Sequence, residues 1–172
     1  MRNLKKMIQI IKPSGFPSVL KGRYLLLDTN VFIDALIHPK EFTQLFNELK
    51  ANNVVLVTLK VVLAEFIKGA NDEKKFQEKR ETVENIIDAY LPIREEICDE
   101  AIDLITKYKE EGKAVSITDY ILGAYLKKYS GSVYLLTKNI SDFPCNIFTL
   151  QTYFNIFHRR AIHNYGVYGY NK

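Results

Sequence analysis

The feature that most constrains this chain is a series of short, uninterrupted apolar runs, each leading into polar residues and then a helical pattern. YLLL at 24–27, VVLV at 54–57 and VYLLT at 133–137 read as strands, since brief all-apolar runs bounded by breaks suit strands buried on both faces. Thr29 or Asn30 can cap the helix VFIDALI, which Pro39 ends. Phe42, Leu45, Phe46 and Leu49 recur at helical spacing over 41–51. Thr58 is placed to cap LKVVLAEFIKG, closed by Gly69, and Asn71 or Asp72 opens a charged helix to about Tyr90. LPI at 91–93 reads as a brief strand, and Ile97, Ala101, Leu104, Ile105 and Tyr108 share one face of a helix over 95–111. Ser116 or Thr118 caps a further helix to Tyr129, and CNIFTL at 145–150 is a weaker strand. Strands alternating with helices imply right-handed crossovers. The expected fold is α/β, three layers α/β/α around a mostly parallel sheet of four to five strands. Such a sheet binds ligands beyond the carboxyl ends of its strands.

Charge is distributed unevenly over the 172 residues. Residues 1–23 hold six Lys/Arg and no acid, and residues 151–172 hold three and no acid. The span between carries fifteen basic and all twenty acidic residues, a net charge of −5. This divides the chain into a basic N-terminal extension (1–23), a central domain (24–150) and a basic, aromatic tail (151–172), expected to pack briefly and then fray. Basic ends suit a polyanion such as RNA, or are solvated termini. Tail aromatics Tyr153, Phe157 and Tyr165 could stack on unpaired bases, although packing into the core is the better expectation. No apolar run approaches the roughly 20 residues of a membrane span, and the N-terminus lacks the pattern of a signal peptide. Cys98 and Cys145 fall on unrelated segments without metal-like spacing. They are expected to be buried thiols in a reducing cytoplasm.

Four acids have unusual surroundings. Asp28 ends an apolar strand, Glu65 lies within VVLAEFI, Asp119 opens SITDYILGAYL, and Asp142 follows VYLLT in TKNISDFP. Each has an ordinary explanation. Asp28 favours a helix start, Asp119 can form a capping box with Ser116, Glu65 can be a hydrogen-bonded core carboxylate, and Asp142 can be a turn residue. Together they fall on or near one edge of the sheet. Clustered carboxylates raise one another's pKa unless cations are present, and hard oxygen donors suit Mg²⁺ or Mn²⁺.

The segments LLLDTNVFIDAL (25–36), VTLKVVLAEFIKGA (57–70), SITDYILGAYL (116–126) and LLTKNISDF (135–143) resemble, in order and spacing, the PIN domain family, which includes toxins of the VapC type. The resemblance covers about 24–150. It implies a divalent-metal-dependent endoribonuclease, with Asp28, Glu65 and Asp119 at the core of the metal site. The family's fourth acid often falls where this chain has Asn139, so Asp142, three residues later, is the candidate fourth carboxylate, acting through a bound water. Thr29 and Asn30 would orient Asp28, and Thr137 would place a hydroxyl near the metal. Lys60, Lys68, Lys113 and Lys138 are candidates for the RNA backbone. A cognate antitoxin and a homodimer are implied partners. The alternative is a non-catalytic PIN-like module that binds RNA or protein, which Asn139 in place of an acid leaves open. A haloacid-dehalogenase-type phosphatase would want Asp where Asn30 stands, and a dinucleotide site would want a glycine-rich turn after the first strand.

Overall fold

The computed structural model describes residues 9–158 and 161–171. Its strands are β1 (Gln9–Ile11), β2 (Tyr24–Leu27), β3 (Val55–Leu59), β4 (Ala89–Leu91), β5 (Val133–Thr137), β6 (Phe148–His158) and β7 (Ala161–Tyr170). Its helices are α1 (Thr29–Ile37), α2 (Pro39–Ala51), α3 (Lys60–Ile67), α4 (Glu73–Ile86), α5 (Glu95–Glu110) and α6 (Ile117–Lys128). All seven strands form one sheet in the order β1-β6-β7-β5-β2-β3-β4. β5, β2, β3 and β4 run parallel, and β7, β6 and β1 add to them antiparallel. The parallel core is the expected one: Leu25, Leu26, Leu27, Leu56, Val57, Leu135 and Leu136 are fully buried. Two successive crossovers step from β2 to β3 to β4, and the third returns to β5 on the other side of β2. Right-handed connections therefore put α1–α4 on one face and α5–α6 on the other. The reversal falls between β2 and β5, the position where open α/β sheets bind ligands.

Several local features differ from the sequence expectation. The N-cap of α1 is Asp28 itself. Pro39 is the first residue of α2 as well as the stop after α1, because a proline lacks only an N–H that the first turn leaves unpaired anyway. Thr58 is a β3 residue whose hydroxyl donates to the Leu27 carbonyl at 2.8 Å, so it ties two strands and does not cap α3. The charged helix stops at Ile86, and the short strand begins at Ala89. Cys98 and Cys145 are exposed. On α5 the buried positions are 97, 101, 104 and 108, which leaves Cys98 off the packed face, and Cys145 lies in the loop before β6.

The largest difference is the tail. Where fraying was expected, β6 and β7 form a long antiparallel hairpin that pairs with β5 through Leu135–Tyr168 to Thr137–Gly166. An unpaired β5 would leave a row of backbone donors and acceptors at a sheet edge, and β7 satisfies them. Core burial holds the hairpin: Phe154 stacks on Tyr165 at 4.9 Å between ring centres, and Tyr165 meets Phe42 of α2 edge-on at 6.2 Å. Tyr168 stacks on Phe143 at 6.0 Å and lies across Gly166, where an added Cβ would come within 2.4 Å of its ring. Gly166→Ala should therefore displace a packed tyrosine and destabilise the protein by about 1–3 kcal/mol, read as a lower midpoint in urea unfolding at unchanged slope.

Candidate metal centre

Asp28 is the first residue beyond β2, and its N–H still bonds the Leu136 carbonyl of β5. The apolar run before it is buried, so the carboxylate is buried too, at 4% exposure. Three donors hold it. The Thr29 N–H reaches Oδ1 at 2.6 Å, the Thr137 hydroxyl reaches Oδ2 at 2.6 Å, and the Asn30 amide reaches Oδ2 at 2.5 Å. Thr137 closes a small network as its oxygen accepts from the Asn30 amide and from the Asn139 N–H. Asn30 in turn accepts from the Lys138 N–H at 3.2 Å. The carboxylate thus sits across the β2/β5 reversal, oriented by Thr29, Asn30 and Thr137.

Glu65 approaches from α3, where its Oε2 accepts from the Thr29 hydroxyl at 2.9 Å. Asp119 opens α6 in a capping box: Ser116 donates from its hydroxyl and N–H to Oδ2, and the Asp119 N–H donates back. Asp142 ends a single 3₁₀ turn, Ile140–Asp142, whose carbonyl accepts from Tyr108 at 2.6 Å. The four acids are electrostatically joined. Burial pushes the Asp28 carboxyl up to about 6, with Asp119 and Glu65 adding to the rise against the Thr137 and Thr29 hydrogen bonds. Burial likewise raises Asp119, with Asp142 and Glu65 adding to it. Asn139 is exposed at the cap of the 3₁₀ turn, so of the two candidates for the fourth position only Asp142 bears charge against Asp119.

The donors are hard oxygens, but among the described residues no three His, Cys, Asp or Glu side chains converge closely enough to hold an ion by themselves. Any ion held there would have to keep part of its water shell. Mg²⁺ is commonly bound through one or two carboxylates plus water and substrate phosphate, not in an all-protein cage.

Of the candidate lysines, Lys60 is exposed at the start of α3, its ammonium 5.9 Å from the centre of the Tyr90 ring. Lys68 is exposed at the far end of the same helix. Lys113 donates to the Ser141 carbonyl at 2.8 Å. Lys138 is engaged with Asp34, 3.1 Å away. Asp34 is a buried acid that sequence reasoning passed over, although VFIDALI surrounds it with apolar residues much as VVLAEFI surrounds Glu65. It also accepts from the Tyr165 hydroxyl at 2.7 Å, and no sequence pattern announces a partner 131 residues away.

The site is thus a group of coupled acids at the reversal point of a parallel α/β sheet. The PIN domain family model matches residues 25–140, and the chain belongs to that family, whose members are typically nucleases that use divalent metal ions. Among solved structures, VapBC2 from Rickettsia felis, bound to a DNA fragment from its promoter, aligns with a TM-score of 0.59 at 20% identity, over 70% of this chain and 90% of that one. VapBC-1 from nontypeable Haemophilus influenzae aligns at 0.55 and 21% identity, over the same shares. These likenesses are of fold. No curated protein matches the sequence. No helix among the described residues is long and apolar enough to cross a membrane.

The raised Asp28 carboxyl has a consequence for stability without metal. Its folded value, about 6, exceeds the ordinary 3.8, so between those values the folded state binds more protons than the unfolded one. Stability due to this group is then fully present below about pH 4 and is lost as pH rises to about 6, by roughly 3 kcal/mol at most. Urea unfolding in EDTA at a series of pH values should show this slope in the parent and a flatter profile in Asp28→Asn.

Proposed function

We propose that the protein is a divalent-metal-dependent endoribonuclease that hydrolyses RNA phosphodiester bonds, of the kind that serves as the toxin of a toxin–antitoxin pair. The observation that carries this reading is Asp28: a buried carboxylate held by three donors, raised towards neutrality by burial and by Asp119 and Glu65. A cation is what relieves such a group. Asp28, Glu65 and Asp119 would hold Mg²⁺ or Mn²⁺ together with part of its water shell, with Asp142 also reaching it through water. When bound, the ion supplies an electrophile for phosphate oxygens and a water of lowered pKa.

The chain's own residues do the positioning. Thr137 and Asn30 fix Asp28 Oδ2 and favour its ionised form, while the capping bonds of Ser116 do the same for Asp119. Lys60 and Lys68, both exposed, would contact the RNA backbone beside the acidic edge. Lys113 and Lys138, already bonded to Ser141 and Asp34, would contribute field more than contact. The VapBC neighbours support an antitoxin partner, and the same reading carries a homodimer and a cytoplasmic setting.

Asp28→Asn and Glu65→Gln should each lower Mg²⁺- or Mn²⁺-dependent cleavage of single-stranded RNA by at least about 100-fold. EDTA should abolish cleavage by the parent. Parent-like cutting by either variant overturns the assignment. In binding assays with Asp28→Asn, each of Lys60→Gln and Lys68→Gln should reduce the slope of log affinity against log salt by about 0.7, the value for one contact on a single strand. An unchanged slope removes that lysine from the RNA path.

A further inference from the structure

The hairpin β6–β7 lies beyond residues 25–140, the span that the family model matches, yet one of its side chains reaches the helix that starts at Asp28. Tyr165 is fully buried. Its hydroxyl donates to Asp34 Oδ2 at 2.7 Å and lies 3.1 Å from the Asn30 carbonyl oxygen. Those acceptors stand on successive turns of α1, so one hydroxyl fixes both the height and the rotation of the helix's first turns. The ring itself has little freedom, stacked on Phe154 and edge-on to Phe42.

What hangs from that contact is the orientation of Asp28. The Asn30 side chain donates to Asp28 Oδ2 and accepts from the Lys138 N–H, and the Lys138 ammonium meets the same Asp34 oxygen that Tyr165 holds. The end of β5 and the start of α1 are therefore clasped together on both sides of the carboxylate, and Tyr165 is the clasp's buried anchor. We propose that Tyr165 is a positioning residue for Asp28, acting through Asn30 and Asp34, so that the hairpin is part of the metal centre's machinery as well as a sheet extension. This rests on the metal-centre reading above. It follows the general pattern that groups hydrogen-bonded behind a metal ligand tune its affinity.

The test is Mn²⁺ binding to the full chain, followed by the electron paramagnetic resonance signal of free Mn²⁺, with no RNA present. Tyr165→Phe keeps the ring packing and removes only the hydroxyl. It should weaken Mn²⁺ binding by about tenfold with circular dichroism unchanged, whereas Tyr168→Phe, on the same strand but away from α1, should bind like the parent. Parent-like Mn²⁺ affinity in Tyr165→Phe overturns the proposal. Should that variant not fold, Asp34→Asn probes the clasp from the helix side. There a loss of about threefold supports the proposal and parent-like affinity overturns it. Asp28→Asn separates the two levels of the argument. A parent that binds no Mn²⁺, or binding that survives Asp28→Asn, refutes the metal centre and the clasp together. Binding lost in Asp28→Asn but untouched in Tyr165→Phe refutes the clasp alone.

Discussion

A carboxylate taken out of water without a compensating charge is among the costlier things a fold can contain, and the architecture around Asp28 is organised by that cost. The reversal between β2 and β5 creates a crevice at the carboxyl ends of two buried strands. The first residue outside it is an acid. Thr29, Asn30 and Thr137 each spend a donor on it, and Thr58, one strand over, ties β3 to β2 just before it. Hydrogen bonds of this kind hold the group in place but do not remove the repulsion from Glu65 and Asp119. The remaining imbalance is of the kind that a bound cation would relieve.

Asp119 illustrates how a structural role and a chemical one can share a side chain. The capping box with Ser116 stabilises the start of α6 and also fixes Oδ2, so the carboxylate cannot swing away from Asp142 and Glu65. A capping carboxylate keeps a second oxygen that its helix does not use, so the cap does not exclude another partner. Asp28 is the same case, as it caps α1 while facing the other acids.

Much of this was legible in the chain itself. Continuous apolar runs announced the parallel strands, because a strand covered on both faces leaves no polar alternation, and acids in apolar settings marked Asp28, Glu65 and Asp119. Two things were not legible. Asp34 carries the same signal as Glu65, but its partners Lys138 and Tyr165 lie 104 and 131 residues further on, and local pattern says nothing about such pairs. The hairpin was passed over because Gln, Asn, His and Gly interrupt its apolar residues, although Thr, Tyr, Phe and Ile favour strands and Thr152, Phe154 and Ile156 alternate as the buried face of β6. β7 pairs with the open edge of β5 and β6 with β7, while Tyr165 packs on Phe42 of α2 and Phe154 on Tyr165. What the local pattern did not reveal was the partner strand, since the β5 edge lies outside the segment itself.

The order in which these parts occur along the chain has a temporal side. A polypeptide is made from its N-terminus, so β2, β3, β4 and β5, with all four acids, exist as chain before β6 and β7 do. During that interval β5 is an open edge, and α1 has no phenol behind it. β7, made after β6, is the strand inserted directly beside β5, inside β6 rather than outside it. On that side the spatial order of the strands is therefore not their order along the chain. The strand that closes the edge of β5 is also the one that carries Tyr165, so edge closure and the phenol behind α1 come from the same strand.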